Sequence, residues 1–568
     1  MPVAHAVPAA AQGALAWLRQ HALVLGTGFA AALPIVVLMI RTIAADWSPL
    51  GDNAIIAVRA YDVFTAHSPL LGQSSGGATS VLDQRAFSPG PLLFWLLAVP
   101  ARFLDPVWMA VTAGLVNVAS VMGTVALARR RGGLVLMFAT AIAIPLMLRS
   151  IPAQAYSDVW NPWIPLMPFL LLIFLAWSLA CGEVRLLPLA VLVGSFVAQT
   201  HLAFLLPAAG VMAVGLVGLV ASRRRRRRAA RSPYARRPPR EQGPSRPWVI
   251  AAVVVLVVCW LPPAIDQVTH RPGNAVLLLR AASTDEPALG TSAGEHALVR
   301  TIGGRPWWVR DPRSTEARMV DLSATPGTRS IVSAVLVLAG LLAVALVARR
   351  RRRRDITAAM ALSLVLCAIV VLDAAGTPER AFATVGYTML WASPAGMFVW
   401  VVLAWSAASL LAGPRLAVAP GRHAGIALAA TAVAGALVAI TADPHFEPFA
   451  RMRFAADRAQ AAVPAGDAVR VNRSAKEFWP VITAVRFQAG LVYALRRDGR
   501  TVSAPVIASK LGAHYRTAPA DRVLRVEVDR PPPPPGATIA SFLIHPRSSS
   551  AGLAPQVVRI TSRPAPQP

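Results

Sequence analysis

Charged residues are scarce in this sequence. They make up 15% of the 568 residues, whereas 55% are hydrophobic. A soluble chain of this length would form several domains and carry about 25% charged residues. Apolar stretches recur along most of the chain instead, many of them near the ~20 residues that a membrane span needs. The composition therefore excludes a soluble globular protein and predicts a polytopic α-helical membrane protein.

Cysteine is also scarce, and common enzyme motifs are missing. The spacing of Cys181, Cys259 and Cys367 fits neither a metal motif nor a disulfide framework, so we interpret these cysteines as small buried residues. The sequence contains no G-x-x-x-x-G-K-[ST], no H-E-x-x-H, no Rossmann glycine run after a strand and no G-x-S-x-G elbow in a suitable context. Nothing therefore indicates ATP-driven work.

Acidic residues are few beside basic ones, 27 against 56, and the net charge is +29. The basic residues are nearly all arginines, and many form blocks between apolar runs, at Arg129–Arg131, Arg223–Arg228 and Arg349–Arg354. Such blocks are typical of the positive-inside rule, so we expect them to lie on the cytoplasmic side. In a soluble protein so high a positive charge would suggest nucleic-acid binding. Here we attribute it to arginines that lie against anionic lipid on the cytoplasmic side.

This rule predicts a plasma-membrane protein with about eleven crossings, a cytoplasmic N-terminus and an extracytoplasmic C-terminus. The first span, Leu23–Ile40, is expected to be retained rather than cleaved as a signal peptide. Ser88–Leu104 conflicts with the alternation, because it is apolar but contains three prolines and is short. Either it lies along or re-enters the outer membrane face, which we favour, or one arginine block is misplaced.

The chain is expected to divide into a membrane domain, residues 1–441, and an extracytoplasmic α/β domain, residues 442–568. The membrane domain has predicted outer loops at 41–87 and 266–330 and a Pro- and Arg-rich, disordered cytoplasmic loop at 223–247. The tail contains strand-like alternation and one helical pattern. The predicted tail elements are strands in "DAVRVNRS", "TVSAPV" and "VLRVEVD", a helix in "KEFWPVITAVRFQAGLVYALRRDG" and a stiff linker in "PPPPPG".

Charged residues follow the first span directly, in "SPLGDNAIIAVRAYDVFTAHSPL". Asp52 opens a short predicted helix, where it could act as an N-terminal cap or as a base that faces a substrate hydroxyl. Arg59 lies two turns further along the same face. It could pair with Asp62 three residues on, or hold a lipid phosphate. His67 completes this group as a candidate substrate-binding residue.

Further polar residues, in three separate segments, fall on the same predicted face. Asp158 precedes the aromatic "WNPW", whose tryptophans suit an interfacial belt. Gln199 and His201 interrupt an apolar hairpin in "VAQTHLAF". Polar groups at membrane depth are costly, so these two either hydrogen-bond between helices or line a substrate site. The turn "AGTPERAFATVGY" adds Glu379 and Arg380 as candidate substrate-binding residues.

The order of four short motifs resembles the GT-C class of membrane glycosyltransferases, and more closely an actinobacterial group within it. The motifs are "GDNAIIAVRAYDVFTAHSPLLGQSS", "SPGPLLFWLL", "WNPWIPLMPF" and "VAQTHLAF". The resemblance implies a GT-C-like fold and a sugar donor carried on polyprenyl phosphate. It places Asp52 at the class's loop acid, which activates the acceptor hydroxyl or helps to hold a divalent cation, and Asp158 near a second acidic position. Both are therefore candidate catalytic residues and possible ligands of a divalent cation.

Three functions remain open. The first is transfer of a sugar from polyprenyl phosphate to a cell-envelope glycan or lipid at the outer face of the cytoplasmic membrane, with no nucleic acid involved. The second is a transporter or flippase of lipid-linked glycans, which would need polar residues throughout the bilayer depth. The third is a non-catalytic envelope-assembly scaffold that keeps a GT-C frame.

Overall fold

The computed structural model describes residues 9–82, 84–230, 245–310, 316–413, 422–444, 448–517, 520–529, 537–544 and 554–565. A long helical part comes first and a smaller α/β part follows. The predicted "PPPPPG" linker lies outside the described residues. The helices of the first part are α1 (Ala9–Ala44), α2 (Asp52–Asp62), α3 (Gly76–Ser80), α4 (Leu92–Phe103), α5 (Val107–Leu148), α6 (Leu166–Ala180), α7 (Leu187–Thr200), α8 (Leu205–Ala230), α9 (Arg246–Thr269), α10 (Asn274–Ala282), α11 (Gly290–Ile302), α12 (Glu316–Ser323), α13 (Thr328–Arg350), α14 (Arg354–Ala375), α15 (Val385–Thr388), α16 (Ala392–Ala412) and α17 (Arg422–Thr441).

Within the described ranges, nine helices are long and apolar enough to cross a membrane, so the chain is a multi-spanning membrane protein. One of the nine, at Phe478–Arg497, belongs to the C-terminal part and packs on its sheet. Two further predicted spans form the shorter apolar helices α6 and α7. All the segments predicted to cross are helical.

The 42-residue helix α5 is two predicted spans joined by a sharp bend. Gly132 and Gly133 have non-helical backbone angles, and Gly133 has a φ of 69°, which favours glycine. Tyr156 shows that the chain doubles back here. Its carbonyl accepts a hydrogen bond from Asn117 at 3.0 Å, and its hydroxyl donates to the carbonyl of Leu148 at 2.6 Å. Asn117 and Leu148 lie on opposite sides of the bend, so the two halves run in opposite directions.

The arginine blocks lie together at one end of the helical bundle, here called the arginine face. Arg130 and Arg131 pair with Glu183, in the loop between α6 and α7. The block at the end of α8 reaches the same loop, and Arg351 donates to the carbonyl at position 410, near the end of α16. This confirms that the blocks share one side. That this side is the cytoplasmic one stays a prediction.

Part of the predicted loop 223–247 is helical, so that boundary was wrong. Arg223–Arg228 form the last turns of α8, and α9 starts at Arg246. Arginine has good helix propensity, and positive charge is favourable at a helix C-terminus, so the arginines extend the span. The middle of the loop lies outside the described residues.

The proline-containing segment at 88–104 forms α4, and it does not cross the bundle. Its 12 residues rise about 18 Å, well short of the ~30 Å hydrocarbon core. Its start lies beside Gln199, at the end of α7 opposite the arginine face. Near its other end, Arg102 donates to the carbonyl of Tyr61, at the end of α2. Both ends therefore lie on the same side of the bundle, here called the site face.

The C-terminal part is a five-stranded mixed sheet with helices packed against it. The strand order is β2-β1-β3-β5-β4, in which β1 pairs in parallel with β2 and β3, and β5 pairs antiparallel with β3 and β4. The predicted helix and three strands are present, whereas α18, β4 and β5 were not predicted. The elements are α18 (Phe449–Ala462), β1 (Ala468–Ser474), α19 (Phe478–Arg497), β2 (Thr501–Ser503), α20 (Ala508–Leu511), β3 (Arg522–Val528), β4 (Thr538–Ile544) and β5 (Gln556–Pro564).

The described residues of the C-terminal domain share their core with the helical part. The domain's buried residues, such as Phe487 and Val526, belong to one apolar cluster that also contains Ile55 of α2 and Phe94 of α4. The hydroxyl of Tyr493 on α19 donates to the carbonyl of Ala101 in α4 at 2.7 Å. The loop after the first span and the C-terminal domain are therefore packed as one unit over the site face.

Candidate functional site

The N-terminus of α2 presents Asp52 on the site face. Gly51, not Asp52, occupies the cap position, and no side chain caps the helix. Gly51 has a φ of 57°, and a Cβ there would lie 3.2 Å from Cγ of Arg486. A larger residue would meet both strain and a close neighbour. Asp52 is the first residue inside the helix and does not cap it, so its carboxylate is available to groups outside α2.

An aromatic group lies on one side of Asp52. Trp160 donates from its indole nitrogen to the Asp52 carboxylate at 3.4 Å. The rings of Trp160 and Tyr387 are 5.1 Å apart, and those of Tyr387 and His201 are 6.1 Å apart. Tyr387 is close enough to Asp52 to interact with its charge. Burial lowers the pKa of His201 to about 4, so its imidazole is neutral near pH 7.

Asp158 supports Asp52 rather than facing it. One carboxylate oxygen of Asp158 accepts hydrogen bonds from the Asn53 side chain and from the backbone of Trp160, both at 2.8 Å. Asn53 follows Asp52 on α2, and Trp160 contacts Asp52 directly. Asp158 therefore ties the start of α2 to the loop that carries the tryptophan. The structure connects the two acids through these two residues, and a catalytic role for either acid stays a prediction.

Two cations from the C-terminal domain lie on the other side of Asp52. The ammonium of Lys510, on α20, is 4.0 Å from a carboxylate oxygen of Asp52, and both side chains are about half exposed. The guanidinium of Arg486, on α19, is partly buried and is attracted to the same carboxylate. Asp52 thus lies between an aromatic group and positive charge, an arrangement suited to an anionic ligand with an attached polar group.

Arg59 does not face the group around Asp52. Its guanidinium donates to the carbonyl of Leu511 at 2.7 Å and lies 5.8 Å from the centre of the Phe94 ring. Burial lowers its pKa, while the nearby Asp62 and Tyr515 oppose that change. The predicted pairing of Arg59 with Asp62 is thus only a through-space attraction, and the hydrogen bond goes to the C-terminal domain.

Asp62 and His67 also contact the C-terminal domain. The Asp62 carboxylate is fully buried and accepts a hydrogen bond from the Tyr515 hydroxyl at 3.1 Å. It also pairs with Arg496 at 3.4 Å and lies 3.3 Å from the His514 ring nitrogen. Burial raises the pKa of Tyr515, which keeps its hydroxyl protonated as a donor. His67 stacks on His514, with the ring centres 4.0 Å apart.

Among the described residues, the contacts of Gln199, Glu379 and Arg380 lie away from Asp52. The buried Gln199 donates to the carbonyl of Cys259 at 2.8 Å. This is the hydrogen bond between helices that the sequence offered as the alternative to a substrate site. The backbone N–H of Glu379 donates to the carbonyl of Pro287 at 2.9 Å, between α10 and α11. Arg380 pairs with Glu286 in the same loop at 3.1 Å, with its own side chain largely exposed.

No group of three or more His, Cys, Asp or Glu residues among those described is arranged to hold a metal ion. Asp52 and Asp158 remain the candidate ligands for a divalent cation. One oxygen of Asp158 is already engaged by two donors, as described above.

Sequence reasoning missed Tyr387, Arg486 and Lys510. Tyr387 was assigned only to a span, and the two cations lie in a domain for which no site was predicted. One signal was present in the sequence. Lys510 is one of only two lysines, Lys476 being the other, in a chain with 56 basic residues. A lysine among so many arginines indicates a position where the properties of an ammonium group differ usefully from those of a guanidinium.

No protein-family model matches the chain, and no curated protein matches it in sequence. Among solved structures, two crystal structures of ArnT from Cupriavidus metallidurans are similar to it. The one bound to undecaprenyl phosphate has a TM-score of 0.45 and 14% identity, over 94% of this chain and 98% of that one. The apo structure has a TM-score of 0.43 and 14% identity, over 97% and 98%. At these values the likeness identifies neither the family nor the activity of this chain.

Proposed function

We propose that this protein transfers a sugar from a polyprenyl-phosphate donor to a cell-envelope acceptor, at the outer face of the cytoplasmic membrane. The observation that carries the proposal is the half-exposed Asp52 carboxylate, between the indole of Trp160 and the cation Lys510, on the face opposite the arginine blocks. A lipid-linked donor keeps its phosphate at the membrane surface, and this group lies at one end of the helical bundle. The proposal also fits the absence of nucleotide-binding motifs in the sequence.

In the proposed reaction the acceptor hydroxyl oxygen attacks the anomeric carbon of the sugar. The bond between that carbon and the phosphate oxygen breaks, and polyprenyl phosphate leaves with the electron pair. Asp52 takes the proton of the acceptor hydroxyl, a contribution of about 10²–10⁴-fold. The cations on the C-terminal domain stabilise the charge that grows on the leaving phosphate. Trp160 and Tyr387 offer flat apolar faces to the sugar ring.

The experiment compares envelope glycans of a deletion strain complemented with wild type, Asp52→Asn or Asp46→Asn. Asp46 is exposed in the same loop, shortly before α2, so it is a matched control for the substitution. We expect Asp52→Asn to insert and fold normally but to restore none of the glycan that wild type and Asp46→Asn restore. Full restoration by Asp52→Asn would overturn the assignment. Movement of a lipid-linked sugar across liposomes without a transfer product would favour a transporter instead.

A further inference from the structure

The two lysines of this chain occupy very different surroundings. Both lie in the C-terminal domain, but Lys476 is exposed just before α19, whereas Lys510 extends toward Asp52. The Lys510 ammonium and the Asp52 carboxylate are 4.0 Å apart, at the outer limit of an ion pair, and each side chain keeps about half of its exposure. A pair held this loosely in water contributes little to stability. Both groups are therefore accessible to a ligand.

The backbone that carries Lys510 is fixed by α2 on one side. The hydrogen bond from Arg59 to the carbonyl of Leu511 holds the residue next to Lys510. Ala508 and Leu511, the first and last residues of the short helix α20, are buried. Gly512 then turns the chain with a φ of 139°, and a Cβ there would lie 3.1 Å from the Arg59 guanidinium. The partly buried Arg59 thus sets where Lys510 leaves the domain surface.

The other side of the same segment is fixed by Asp62. Tyr515 donates its hydroxyl to the buried carboxylate, and His514 and Arg496 lie against it. Three polar partners surround one fully buried charge, which is the condition under which such a charge is tolerated. One turn of α2 therefore holds residues 508–515 from both sides of Gly512, while the first turn of the same helix carries Asp52.

We propose that Lys510 is the residue with which the C-terminal domain binds the phosphate of the lipid-linked donor, and that Arg59 and Asp62 position it. This inference rests on the proposed function and assigns its phosphate contact. An ammonium offers three donors on a flexible stem, so it can exchange Asp52 for a phosphate oxygen. Arg59 is committed to a carbonyl and is not the phosphate ligand that the sequence suggested. The C-terminal domain is then part of the reaction centre.

The direct test measures binding of a C55 polyprenyl phosphate to the purified full-length protein in detergent. Loss of one charge-assisted contact lowers affinity by about ten- to a hundredfold, the change expected for Lys510→Gln. We expect Lys510→Arg to retain most of the affinity and Lys476→Gln to match wild type. Inorganic phosphate and neutral polyprenol serve as competitors that separate a phosphate contact from a lipid contact. Unchanged affinity of Lys510→Gln would overturn the proposal.

Amine labelling provides a second readout, because only two lysines are present. We expect the polyprenyl phosphate to protect Lys510 from an acetylating reagent and to leave Lys476 labelled as before. Equal labelling of Lys510 with and without the lipid would contradict the proposal. The neutral polyprenol should protect neither lysine, and protection by it would show steric cover instead of a phosphate contact.

The positioning role of Arg59 is tested by a double-mutant cycle. If Arg59 acts through Lys510, Arg59→Met weakens binding in the wild type but adds little in a Lys510→Gln background. Equal losses in the two backgrounds would contradict that role. Asp52→Asn separates this inference from the proposed reaction, since a variant that loses transfer should still bind and protect Lys510. Retained transfer by Asp52→Asn together with lost binding by Lys510→Gln would overturn the role of Asp52 as the base. It would leave the phosphate contact of Lys510 standing.

Discussion

The two ends of α2 use their charges in opposite ways. At the start of the helix, Asp52 is half exposed, with one long contact to an indole and a loose pair with Lys510. At the end, Asp62 is fully buried and has a tyrosine, an arginine and a histidine around it. Arg59 belongs with Asp62, because it is committed to the backbone of the C-terminal domain. The first end is accessible to solvent, whereas the second connects α2 to the C-terminal domain.

This difference shows that charge on a helix face does not by itself mark a site. Asp52 and Arg59 lie two turns apart on the same face, yet they have different neighbours. A buried carboxylate with complete hydrogen bonding stabilises an arrangement of chains only while all its partners remain. A carboxylate with partial, exposed contacts can exchange them for substrate. The following three predictions test this contrast, beginning with the largest expected effect.

The largest effect on stability should come from Asp62→Ala. The substitution leaves Arg496 and the Tyr515 hydroxyl without their buried partner, and breaking such a pair costs about 3–5 kcal/mol. Hydrogen exchange is the appropriate measurement, because a two-part membrane protein does not unfold in one step. We expect faster exchange in α19, which carries Arg496, and in α20, which precedes Tyr515. Asp457→Ala, at an exposed position on α18, is the control and should leave exchange unchanged. Unchanged exchange in Asp62→Ala would show that the contacts of Asp62 do not hold the C-terminal domain against α2.

The sequence predicted the parts of this contrast that depend on local pattern. Apolar length predicted the spans, the arginine blocks predicted their shared face, and the turn before Asp52 predicted a short helix there. In the tail, alternation and helical period predicted β1, β2, β3 and α19. These features depend on neighbours in the chain, so periodicity alone reveals them.

The rest depends on contacts between distant parts of the chain. Arg59, Asp62 and His67 were interpreted as substrate-binding residues because their partners lie more than four hundred positions further on. For the same reason Lys510 and Arg486 could not be assigned to Asp52. Burial decides whether a charge is a ligand or a structural partner, and burial is set by the packing of the two domains against each other.

A smaller effect is expected from Gly512→Ala, with Gly499→Ala as its matched control. Both glycines have positive φ, 139° and 81°, so alanine strains either backbone by about 1–3 kcal/mol. Only at Gly512 would the new Cβ also meet neighbours, His514 at 2.9 Å and Arg59 at 3.1 Å. We expect a larger loss of stability for Gly512→Ala, and weaker polyprenyl-phosphate binding for that variant alone, because Lys510 is displaced. Equal binding by the two variants would show that the position of Lys510 does not depend on this turn.

The smallest effect should come from Asp105→Asn, which removes a second ion pair across the same domain boundary. Arg453 of α18 donates to Asp105 at 2.9 Å, but both side chains are partly exposed, with accessible fractions of 34% and 46%. Arg453 also keeps its bonds to the carbonyls of Asp46 and Trp47. Exposed pairs contribute about 0–1 kcal/mol, and salt screens them. We expect a slight increase in exchange within α18 at low ionic strength and none at high salt, in contrast to Asp62→Ala, whose effect should persist in salt. A loss as large as that of Asp62→Ala would mean that burial does not separate the two pairs.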